Sequence, residues 1–369
     1  MNVQVISKEH MTQLLGNWYR TIRSQNLDEA KELKKEIDSK INHMEEDQKI
    51  LEYYLLLDFR YKILCSDFYP NVSGISKAEL KEFNINHNSS DDFLSYYYYF
   101  FKATHEMIMG KYKEAEKDFE KAGEFIVKIP DEIEKAEYNF KLATYYYYVC
   151  QPVLVVQFVS KAKSTFLKQA GYDLKIAACD NLLGLACIQL SQFEQAEEYL
   201  ISSINVLQKK NEESLVLRGK HSLGVMYAEQ NLSVLAIRHL SEVTKKNPDS
   251  FRAVYLEARE YSKLGEIKKA IELIDKGLEV CNKFENVEYQ HHFNILKRKC
   301  QKPEAKLLEV VILEGLSYFE KEGLWEYVQE YSEVLAMQFH EEGNHEKASK
   351  YFYKGTKEKE KAFQKGALR

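Results

Sequence analysis

The stretch LGVMYAEQNLSVLAIRHL, Leu223 to Leu240, carries the pattern that decides the fold. Leu223-Gly224 is followed by Tyr227; a polar turn at Asn231-Leu232 then precedes Ala236 and Leu240. Small residues at these places let two helices approach closely, so the stretch reads as the crossing of a helical hairpin. The same arrangement recurs along the chain. Gly110-Lys111-Tyr112 precedes Ala115 and Phe119, and Ser191-Gln192-Phe193 precedes Ala196 and Leu200, with Leu183-Gly184 just upstream. Gly265-Glu266-Ile267 precedes Ala270 and Ile274, and Gly343-Asn344-His345 precedes Ala348 and Phe352. The turn at Gln151-Pro152 puts Val155 in the equivalent place. Ala115, Val155, Ala196, Ala236 and Ala270 follow one another at steps of 40, 41, 40 and 34 residues. The next step, of 78 residues to Ala348, leaves room for a degenerate unit near residues 286–323. This is the signature of tetratricopeptide-type repeats, whose reference period is about 34 residues. Stacked, they form a superhelix with a concave face suited to binding polypeptides.

Upstream, three helices are expected. Ser7 can cap one running through Trp18 and Tyr19 to about Arg23. Asn26 and Glu29 form a capping-box pattern for a second, from Leu27 to about His43, and a third runs from about Glu45 to Phe68. Short connections between them imply a small bundle. Tyr69-Pro70-Asn71 and Ser73-Gly74 break the pattern; a weaker segment, Lys77 to Phe83, and the polar run Asn84 to Asp91 follow. The expected architecture is therefore all-α, with a three-helix bundle over 1–70, a linker over 71–91 and a repeat domain over 92–369.

Composition agrees. The 369 residues include only 15 Gly and 5 Pro, too few for a turn-rich β architecture. The 26 Tyr suit groove walls, because Tyr packs a ring and keeps a hydroxyl for a partner. A net charge of -5 and a pI of about 6.1 exclude the clustered basic surface of a nucleic-acid binder. No two of the six Cys form a C-x-x-C pair, and they read as small core residues. The start MNVQVISKEH has no signal-peptide pattern, and the most apolar stretch, Leu142 to Val159, is too short and broken to span a bilayer. These features point to the cytoplasm and to no membrane partner.

Catalytic signatures of phosphate-binding, dinucleotide, zinc-protease and serine-hydrolase type are absent. His291 and His292 are adjacent, so on a helix they diverge by about 100° and cannot chelate one metal together. The run Asp131-Glu132-Ile133-Glu134 reads most simply as a capped, charged helix start. One residue is odd. Ile41, Met44, Gln48, Leu51 and Leu55 fall on one helical stripe, and Gln48 interrupts it, flanked by Glu45, Glu46 and Asp47. The plain reading is an amide at the bundle's edge. The sharper one is an exposed carboxamide meant for a partner, able to hold a water molecule as Gln does in some phosphoryl transfers.

With these residues in view, the chain resembles the Rap proteins of spore-forming Bacillus relatives. The likeness is carried by Asn17-Trp18-Tyr19, by Met44 to Gln48 continuing to Asp58-Phe59-Arg60, and by Tyr96 to Lys102. Further along it is carried by Asp131 to Glu137, Phe140-Lys141, Tyr145 to Tyr148 and Phe339 to Asn344. That family comprises response-regulator aspartate phosphatases and related anti-activators controlled by secreted peptides. The resemblance implies that the bundle docks on a phosphorylated receiver domain and that Gln48 orients water against its aspartyl phosphate. Glu45, Glu46, Asp47, Leu51 and Phe59 would form the docking surface. No cofactor is implied; any Mg²⁺ would belong to the receiver. It also implies that a short signal peptide binds the repeat groove, with Tyr148, Gln151 and Tyr255 lining it. Here the sequence departs from the family: Gln189 stands where an acidic groove residue is usual, and Ser222 where an Asn is usual. Loss of an acid removes a partner for a basic peptide, so either the peptide differs or sensitivity to it is weak.

Three functions follow as expectations. The first is a phosphatase acting on a phosphorelay response regulator in sporulation- or competence-type signalling. The second is a non-enzymatic anti-activator that sequesters a transcriptional regulator's DNA-binding domain. The third is a repeat scaffold with no regulator partner.

Overall fold

The computed structural model describes residues 7–44, 47–68 and 92–366. The expected linker, including Lys77 to Phe83, and the pair Glu45-Glu46 lie outside them. Helix α1 (Lys8–Arg23) begins where expected: the Ser7 side chain accepts from the His10 N–H at 3.3 Å. In α2 (Leu27–Lys40), Asn26 caps the helix by accepting from the Glu29 N–H and donates its own Nδ2 to Glu29 Oε2 at 2.7 Å; its backbone N–H goes to the Thr21 carbonyl, so the expected capping box forms only in half. The expected third helix does not start near Glu45. A 3₁₀ turn (Ile41–His43) and an extended Met44 intervene, and α3 spans Gln48–Phe68. The stripe from Ile41 to Leu55 is thus broken ahead of Gln48. The cause is Asp47, whose Oδ1 accepts from the N–H groups of Lys49 and Ile50 and opens a new helix. Trp18 is fully buried at the bundle's centre, with the rings of Tyr54 and Tyr61 at 6.1 and 5.6 Å.

Seven helical hairpins follow: α4 (Asp92–Ile108) with α5 (Tyr112–Ile126), α6 (Glu132–Tyr148) with α7 (Pro152–Phe166), α8 (Asp173–Gln189) with α9 (Phe193–Lys209), and α10 (Glu213–Glu229) with α11 (Ser233–Lys246). Then come α12 (Phe251–Lys263) with α13 (Ile267–Lys283), α14 (Val287–Cys300) with α15 (Ala305–Glu322), and α16 (Trp325–Glu341) with α17 (His345–Gly366). The degenerate unit is therefore the α14–α15 pair. The repeat anchors Ala115, Val155, Ala196, Ala236, Ala270 and Ala348 are all buried.

The opening stretch shows why the hairpins close. Asn231 takes φ +58°, which lets the Leu232 N–H return to the Tyr227 carbonyl at 2.9 Å and cap the end of α10. A Cβ added at Gly224 would stand 2.6 Å from Leu240 Cγ, so α10 and α11 touch through a missing side chain. The superhelix then closes on itself. Tyr318 donates to the Gly110 carbonyl at 3.0 Å, and Tyr112 donates to Glu288 Oε2 at 2.7 Å, joining the first hairpin to α14 and α15. Side chains of the first helices of several hairpins, α6, α12, α14 and α16, meet one another: Tyr148 with Arg252, Arg252 with Tyr289, and His292 with Tyr331. Among the described residues no helix is long and apolar enough to cross a membrane.

Candidate functional site

Gln48 is the first residue of α3 and is exposed. Its Nε2 donates to Glu52 Oε1 one turn along, at 3.1 Å, which gives the amide a preferred direction without burying it. The backbone beneath it is pinned twice. Asp47 caps the helix, and Lys8 of α1 pairs with Asp47 at 3.2 Å. The Ile50 N–H, followed by Lys8, holds the Asp47 carboxyl below the usual carboxylate range. One and two turns from Gln48 lie Leu51, half-buried, and Leu55, 47% exposed. Around α3 from this face, toward α1 and α4, is an apolar cavity of about 360 Å³, lined by Thr12 and Gly16 of α1, Lys49 and Ile50 of α3, and Phe93 of α4. Phe59 does not belong to the exposed face: it is buried against the rings of Phe101 and His105. Asp47 acts as a cap. Leu55, large, apolar and exposed on the Gln48 face, was not among the docking residues expected from the sequence.

The bundle is fastened to the repeats by a buried ionic seam. Arg23 of α1 pairs with Asp131 at 2.7 Å and lies 3.5 Å from Glu134. Arg60 of α3 and Lys175 of α8 both pair with Glu137 of α6, at 3.0 and 2.8 Å. Tyr96 of α4 donates to Glu134 at 3.0 Å. Burial works to raise Glu137, but Lys175 and Arg60 outweigh it and hold it below its usual value. Burial, and next the charge of Glu137, push Glu134 well up, so Asp131 rather than Glu134 is the counter-ion of Arg23. The run at Asp131 does cap α6, through the N–H groups of Ile133 and Glu134. It is also a socket, because its carboxylates receive arginines from helices α1 and α3.

The groove gathers some of the expected peptide residues and not others. The Tyr148 ring lies 4.4 Å from the Arg252 guanidinium, which lies 5.5 Å from the Tyr289 ring, which in turn meets Tyr255 at 5.7 Å. Gln189 reaches the same corner, donating to the Tyr147 carbonyl at 3.1 Å. Ser222 is withdrawn: it is buried and its hydroxyl donates to the Arg218 carbonyl. Gln151 is buried in the turn between α6 and α7. Arg252, Tyr289 and His221 were not singled out from the sequence; Arg252 and Tyr148 stand far apart in the chain and meet only through the closure of the superhelix. Among the described residues no group of three His, Cys, Asp or Glu could hold a metal ion.

Comparison with known proteins bears on both regions. Residues 5–66 match the family described as response regulator aspartate phosphatase H, N terminal, and residues 251–284 match a tetratricopeptide repeat. The regulatory protein RapF of Bacillus subtilis (strain 168) is 27% identical, over 95% of this chain and 94% of RapF. Among solved structures, a Rap protein complexed with Competence and Sporulation Factor matches with a TM-score of 0.81 at 23% identity, over 96% of this chain and 99% of that one. The apo form of RapI matches with a TM-score of 0.54 at 26% identity, over 97% and 99%.

Proposed function

From its membership of the Rap family, we propose that this chain is a response-regulator aspartate phosphatase that docks its bundle on a phosphorylated receiver domain. The observation that carries the reading is the exposed Gln48 amide at the tip of a helix whose start is pinned by Asp47 and Lys8. An aspartyl phosphate is an activated acyl phosphate, so aligning a water molecule for in-line attack is enough to speed its loss. The water oxygen bonds to phosphorus as the bond to the aspartyl oxygen breaks, leaving aspartate and inorganic phosphate. A carboxamide suits this role because it accepts from and donates to water, and adds no charge to an acidic pocket. The receiver's own Mg²⁺ would carry the phosphoryl charge. Leu55, exposed on the same face, supplies apolar docking area beside the amide.

Groove occupancy is the proposed control. A short peptide bound there would act on the bundle through the repeats to which the seam fastens it.

The test is phosphate release from a panel of phosphorylated receivers. Wild-type protein accelerates release from at least one of them; Gln48→Ala binds the same receiver and does not. A second reading, the anti-activator that sequesters a regulator's DNA-binding domain, is favoured by the likeness to a relative named as a regulatory protein. It predicts that a regulator fragment lacking its receiver still binds, and that Gln48→Ala loses nothing.

A further inference from the structure

Several cations drawn into the described part of the molecule have counter-ions. Arg23, Arg60, Lys175 and Arg259 each meet a carboxylate at 2.7 to 3.0 Å. Arg252, on the first turn of α12, does not. Its Nη1 donates to the Tyr148 hydroxyl, and its guanidinium lies among the rings of Tyr148 and Tyr289. Among the described residues no carboxylate lies within 4.0 Å of it. Its Nε–H is shut off from water and bonds to nothing. The acid that acts on it from farther away, Glu288, already has its Oε2 taken by the Tyr112 hydroxyl at 2.7 Å. A partly buried guanidinium without a counter-ion costs stability, and it marks a place that an anion can complete.

We propose that Arg252 is the carboxylate subsite of the groove, and that the groove's ligand is a short peptide presenting a carboxylate to it. This rests on reading the groove as a peptide site. A carboxylate fits because its two oxygens match the planar fork of a guanidinium, and because the aromatic stack holds that fork in place. Glu326 and Glu330 face the same space from α16, beside Cys150 and Arg259 respectively, so a basic peptide is the competing outcome.

The experiment uses the full chain and pools of short synthetic peptides, with binding read by fluorescence anisotropy. One pool has a free C-terminal carboxylate and no acidic side chains. A second is amidated with one Asp per peptide, a third is amidated and neutral, and a fourth is amidated with one Arg. At least one carboxylate-bearing pool should bind about tenfold or more tightly than the neutral pool, and which one it is identifies the source of the carboxylate. Arg252→Gln should abolish that margin, while Arg252→Lys should keep part of it; the Lys variant and the salt dependence of binding decide the matter if the Gln variant does not fold. Preference for the Arg pool, or a margin indifferent to Arg252, overturns the proposal and leaves the peptide groove standing. Binding of no pool overturns both groove readings and leaves the Gln48 reading to its own phosphate-release assay.

Discussion

Arg60 is buried and Arg252 partly so, and the two are treated in opposite ways. At the seam between bundle and repeats, Arg60 meets Glu137, which also meets Lys175, and Arg23 meets Asp131. In the groove, Arg252 has aromatic rings and a hydroxyl but no counter-ion. The difference separates charges that hold the molecule together from a charge kept for something else. A buried ion pair is costly to break from one side, whereas a lone buried charge is costly to keep.

The widest break in that comparison should come from Glu137→Ala. It leaves Arg60 and Lys175 without their shared partner, and chemical denaturation should show a loss of about 3–5 kcal/mol. If the loss is a few tenths, the seam is not what holds bundle to repeats. Gly224→Ala gives an uncharged yardstick. The new methyl would meet Leu240 at 2.6 Å, and overpacking there should cost about 1–3 kcal/mol by the same measurement. A further effect should appear with pH. Burial, followed by the charges of Arg252 and Arg218, lowers His221 from 6.5 to about 4. The folded state therefore binds fewer protons than the unfolded chain in this window; the contribution is present above pH 6.5 and is lost as pH falls toward 4. His221→Gln should flatten the melting temperature over that window, and an unchanged slope would assign it to other groups. The smallest change in stability is expected for Arg252→Met, within about 1 kcal/mol of wild type or more stable, because no ion pair is broken. A loss as large as that of Glu137→Ala would make Arg252 a structural residue like Arg60.

Local order was legible in the sequence, and meetings across the fold were not. Ser7 and Asn26 announced the first two helices because a cap acts on N–H groups within three residues. The alanine anchors announced the hairpins because helix crossings demand small residues at a fixed period. The start of α3 was misjudged: no Gly or Pro marks the break after Met44, and only the cap made by Asp47 does. The seam read as a charged helix start because Arg23 and Arg60 are supplied by helices far away in the chain. Phe59 and Leu55 share the helix of Gln48, yet the first is buried and the second exposed, since α4 covers one side of that helix alone. Arg252 could not be distinguished from any other surface arginine until the closed superhelix set it against Tyr148.

The central claim is that a carboxamide at the tip of α3 aligns water on another protein's phosphoryl group. It is met most directly by a single-turnover measurement, in which a receiver labelled on its aspartyl phosphate is saturated with this chain. The account predicts that Gln48→Ala binds as wild type does and slows phosphate loss by about tenfold or more. Equal rates from the two saturated complexes would contradict it.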